Sequence, residues 1–143
     1  MARRLTRGLR TWLWVDCVLV LIAGVQLYVF AERTDHLFAW TITPPLTAAF
    51  LGASYWASLP LLYLSSLRTR WADARLAVYG VLVFTSLTIV ATVLHLDRFH
   101  LAALASAARV AAWSWLVVYA VVPAALLLLL VSSRRRGALR CVD

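Results

Sequence analysis

The chain has 143 residues, 64% of them hydrophobic and 14% charged, against about half apolar and a quarter charged in soluble domains. That composition excludes an ordinary water-soluble globule. The net charge of +8 comes from 14 basic residues, all Arg, against six acids; with no Lys, a Walker-type phosphate loop, a Schiff-base enzyme and a catalytic lysine are excluded.

The first apolar run, about Thr11 to Phe30, is preceded by Arg3, Arg4, Arg7 and Arg10. It has the roughly 20 residues that a helix needs to cross a hydrocarbon core. It ends in Tyr28, Val29 and Phe30 without the small residues of a cleavage site, so it reads as a retained anchor. Asp16 is the acid within it, and an intramembrane carboxylate is costly enough to mark a functional candidate. It stands six residues beyond Arg10, about 9 Å along a helix, within reach of water or a snorkelling arginine, which predicts a structural ion pair or a hydrogen-bonded partner. The alternative role is proton or substrate coupling. Cys17 beside it and Cys141 near the end are isolated, which predicts neither a disulfide nor a CxxC metal site.

A second run, about Leu46 to Leu67, carries Ala48, Ala49, Gly52, Ala53 and Ala57 at three- and four-residue spacings. Such a face lets another helix backbone approach closely, within the chain, in a partner or in a second copy. Trp56 is expected to pack inside the bundle, and Pro60 to bend the helix. The third run, about Leu76 to Leu94, sets Thr85, Thr88 and Thr92 on one side, and the fourth, about Val110 to Val131, contains Pro123. Trp12, Trp14, Trp71, Trp40, Trp113 and Trp115 fall near the ends of runs, where interfacial anchors are expected.

These solid runs predict an all-α fold, a single domain built as a four-helix transmembrane bundle. Eleven arginines flank the first run's start, the second–third connection and the fourth run's end, while Arg33, Arg98 and Arg109 lie on the other side. The positive-inside rule then predicts both termini in the cytoplasm and a multi-pass protein of the inner, cytoplasmic membrane. Arginines in short arms beside spans suit anionic lipid rather than nucleic acid.

The outer connections hold the remaining polar groups. If the first helix continued past Phe30, Glu32, Asp35 and His36 would share one face; on an extension of the third, Asp97 and His100 would share another. Three carboxylates and two imidazoles at one level are a ligand set for a divalent metal. Haem held by His36 with His95 or His100 is the less favoured cofactor, and Arg33 and Arg98 beside the acids offer the plainer role of solvated ion pairs.

The stretch AERTDHLFAWTITPPLTAAFLGASYWAS from Ala31 to Ser58, with HLDRFH from His95 to His100, resembles an uncharacterised family of small four-span bacterial integral membrane proteins. The resemblance implies the architecture and carries no activity. No GxGxxG, HExxH or nucleophile elbow is present, so an enzyme is not expected. The sequence favours a small accessory, scaffold or assembly protein. A metal- or haem-binding membrane protein using the outer cluster, and a small-molecule transporter using Asp16, are the alternatives. The single intramembrane acid is shared with small multidrug exporters, but the arginine asymmetry and the position of Asp16 depart from that family.

Overall fold

The structure, a computed structural model, describes residues 5–139, with side chains through residue 132. Arg3, Arg4, Arg140 and Cys141 lie outside the described residues, as do the side chains of Arg134, Arg135 and Arg136. The chain is helical, with no strand among the described residues. Its α-helices are α1 (Arg7–Val29), α2 (Thr34–Leu37), α3 (Pro45–Leu67), α4 (Trp71–Leu94) and α5 (Ser106–Leu139).

The helix limits follow from local chemistry. Thr6 caps α1, its hydroxyl accepting from the Leu9 amide at 3.4 Å. Pro45 stands in the first turn of α3, where its missing N–H is not needed. Helices α3 and α5 continue through Pro60 and Pro123. Helix α4 begins five residues before the apolar run at Leu76, since exposed Asp73 and Arg75 are compatible with helical backbone.

Three helices are long and apolar enough to cross a membrane: α1, α4 and the Ser106–Ser132 part of α5. Helix α3 is as long as α1, at 23 residues, but carries Ser54, Tyr55, Trp56, Ser58 and Pro60 along its middle and is not one of the three. Large apolar side chains turn outward all round: Leu46, Phe50, Leu76, Leu94 and Leu128 each keep 70% or more of their surface exposed. Water would not tolerate so continuous an apolar exterior, whereas lipid would.

Inside, α1 packs most extensively against α3, and α4 against α5. One core cluster joins all four long helices at the arginine-rich end, through residues such as Leu9, Leu13, Leu62, Val78 and Leu126. There the Leu5 amide donates to the Thr69 carbonyl at 2.7 Å and Arg10 Nε to the Ser66 carbonyl at 3.0 Å. A second cluster closes the opposite end around Leu27, Phe38, Ala39, Ile42, Ala48 and Ala112.

The small-residue face of α3 is a packing seam, though narrower than the spacing suggests. A Cβ on Gly52 would stand 2.6 Å from the Tyr28 amide nitrogen and 2.9 Å from the Gly24 carbonyl oxygen. Ala48 and Gly52 are buried, while Ala53 and Ala57 are exposed. At Gly52 the seam is filled by α1 of the same chain.

Candidate functional site

The end opposite the arginines is closed by the two long connections, folded over the helices as an aromatic cap. Thr34 is buried, and its hydroxyl accepts from the Ile42 amide at 3.0 Å, curling residues 34–42 into a compact loop. That loop meets the α4–α5 connection through an isolated antiparallel bridge between Trp40 and Phe99 and a bond from the His100 amide to the Ala39 carbonyl. The His100 ring fastens them again: Nδ1 lies 3.1 Å from the Phe38 carbonyl and Nε2 lies 3.1 Å from the Thr41 hydroxyl.

Beneath the cap, aromatic rings continue into the bundle. Trp40 meets Trp115 edge-on with centroids 4.9 Å apart, within the range of favourable ring pairs, and Trp115 stacks closely on Tyr119 with centroids 4.3 Å apart. Trp115 Nε1 donates to Thr92 Oγ1 at 3.1 Å. One turn below, the Tyr119 and Tyr55 hydroxyls share a hydrogen bond, tying α5 to α3.

Asp16 reaches the same interior from α1, 4% exposed and near Tyr119. Its Oδ2 is buried and has no hydrogen-bond partner. Among the described residues no arginine pairs with Asp16: Arg10 donates its Nε–H to the carbonyl of Ser66 near the end of α3. Nor is any basic side chain among the buried residues described. Asp16 is a buried carboxyl with one oxygen unpartnered.

The outer carboxylate and histidine set does not assemble as the helical extensions predicted. Helix α1 stops at Val29 and is followed by a 3-10 turn at Ala31–Arg33; α4 stops at Leu94 and is followed by one at Leu96–Arg98. Glu32 is exposed, Asp35 pairs with its neighbour His36 at 3.1 Å, and Asp97 pairs with Arg98 at 3.1 Å. His100 is turned into the cap, with a partner at each ring nitrogen, and His95 Nδ1 lies 2.9 Å from the Ala91 carbonyl. Among the described residues no three His, Cys, Asp or Glu side chains are gathered to hold a metal. Haem ligation by His100 meets the same obstacle, since both nitrogens are engaged.

Two of the expected tryptophan anchors are also reassigned. Trp40 and Trp115 pack in the cap, whereas Trp14 and Trp113 remain 43% and 55% exposed as anchors would. Trp56 packs against Tyr28 and over Gly24, inside the bundle as expected. The spacing of polar residues did not single out Thr34, Tyr55 or Tyr119. The signal available for the tyrosines was a hydroxyl-bearing ring in each of two otherwise apolar runs. Comparison with protein-family models, curated proteins and solved structures finds no match for this chain.

Proposed function

We propose that this chain is a four-span inner-membrane protein with both termini in the cytoplasm, serving as an accessory or assembly component that packs against another membrane protein. The fourth crossing is supported by the way α3 follows α1. Gly52 meets Gly24 and Tyr28 toward one end, Trp14 meets Tyr63 edge-on nearer the other, and Arg10 reaches Ser66 at the end of α3. An antiparallel helix in contact along its length occupies the same slab of membrane as its neighbour. The arginine asymmetry supports the direction.

The observation that carries the assembly role is where the polar groups go. Thr85 and Thr88 hydroxyls donate to carbonyls one turn back, at 2.7 and 2.8 Å, and the cap's hydroxyls and His100 bind its own loops together. The outward surface is then made of large apolar side chains, suited to lipid and to apolar helix partners. Its test is photo-crosslinking in native membranes from Phe50, Leu87 and Leu128, which face outward on three different helices. A discrete protein adduct from one helix, with lipid adducts from the others, is expected. Lipid adducts from all three would overturn the assembly role.

A further inference from the structure

Asp16 is the group this reading leaves without a task. An ionised carboxylate inside an apolar bundle costs several kcal/mol unless it is paired. Pairing is the usual remedy, and none is found among the described residues: Oδ2 has no hydrogen-bond partner, Arg10 turns its Nε–H to the Ser66 carbonyl, and no buried side chain described is basic. The remaining remedy is to carry a proton.

We propose that Asp16 is an intramembrane proton-binding site, neutral in this packing, which exchanges its proton with water at the arginine-rich end. Asp16 lies about 9 Å along α1 from Arg10 and about 20 Å from Val29 at the cap end, at 1.5 Å per residue, so the arginine-rich end is the shorter path. The titratable groups turned inward around it are Cys17 on α1, Tyr55 on α3 and Tyr119 on α5; the buried residues of α4 are Ala74, Ala77, Val78, Thr85 and Thr92. None of these is a cation at neutral pH, so a proton is what balances the carboxylate. The inference rests on the membrane reading but not on the number of crossings or on an assembly partner.

The full chain in phosphatidylcholine vesicles is treated with dicyclohexylcarbodiimide, an apolar reagent that adds to protonated carboxyls. The acid proton passes to one carbodiimide nitrogen and the carboxylate oxygen bonds to the central carbon. Acyl transfer to nitrogen then leaves a stable N-acylurea with no leaving group, so the peptide gains the whole reagent mass. The expected result is an adduct on the Asp16 peptide in preference to exposed Glu32, Asp35 and Asp97, falling several-fold as the pH is raised. Asp16→Asn should lack this adduct and keep the background at the other carboxyls. The wild-type measurement decides the matter by itself, even if that variant folds poorly. Adducts on the loop carboxylates without one on Asp16, or an Asp16 adduct indifferent to pH, would overturn the proposal. A failed crosslink from the outward positions leaves this labelling result intact, so the two proposals fail separately.

Discussion

His100 stabilises the cap out of proportion to its partly exposed position, because its two ring nitrogens bind both ends of the Phe38–Thr41 turn. With a net contribution of about 1 kcal/mol per hydrogen bond, His100→Ala should destabilise the protein by about 2 kcal/mol. His36→Ala removes an exposed pair with Asp35, worth about 0 to 1 kcal/mol. Thermal melts in detergent, with limited proteolysis of the cap loops, should separate the two variants; equal melting temperatures would contradict the clamp. The sequence marked both histidines as unusual without distinguishing their roles. Residues 30–33 include Ala, Glu and Arg and contain neither Gly nor Pro, so local preference favoured continuing α1. The break is instead set by tertiary packing, as Phe38 and Trp40 are drawn under the cap against Trp115.

The α1–α3 contact is the element-scale feature that admits the sharpest substitution. Gly52→Leu would push its side chain into the Tyr28 amide and the Gly24 carbonyl, backbone groups that cannot rotate aside, so a loss of about 1–3 kcal/mol or more is expected. Leu127→Ala removes volume from a side chain already 49% exposed and should change the detergent melting temperature much less. Similar small shifts for both would show that α1 and α3 do not meet through Gly52. At Gly24 the obstacle is the Trp56 ring, a side chain, so Gly24→Ala should be milder than Gly52→Leu in the same assay. The positions of the long helices were legible because 20-residue apolar runs have few alternatives in a membrane. Their inward faces were not, because lipid and protein interior are both apolar and hydrophobic periodicity no longer separates them. Ala48 and Ala53 look equivalent in sequence, yet one is buried against the bundle and the other faces out.

Over the whole molecule, the two ends are built by different means. At the arginine-rich end, the backbone before α1 is hydrogen-bonded to the α3–α4 connection; at the other, two connections form one cap. This makes α3 the deciding helix for topology, since it joins the ends while standing outside the three helices that are long and apolar enough to cross a membrane. Three crossings would put Thr47 and Thr69 on the same side of the membrane, whereas four crossings put them on opposite sides. Both residues are exposed, so a cysteine at either can be tested with an impermeant thiol reagent in a background lacking Cys17 and Cys141. Intact cells should label the Thr47→Cys variant at once and the Thr69→Cys variant only after permeabilisation. With four crossings α5 returns the chain to the side on which α1 begins, so a reporter fused after Asp143 should be active only if it works in the cytoplasm. Labelling of both cysteines from outside would remove α3 from the membrane. It would also contradict its contact with α1, since a helix cannot lie along a spanning neighbour from Gly52 to Ser66 and remain on one surface. Reversed labelling, with Thr69→Cys reactive in intact cells, would instead keep four crossings and overturn the orientation inferred from the arginines.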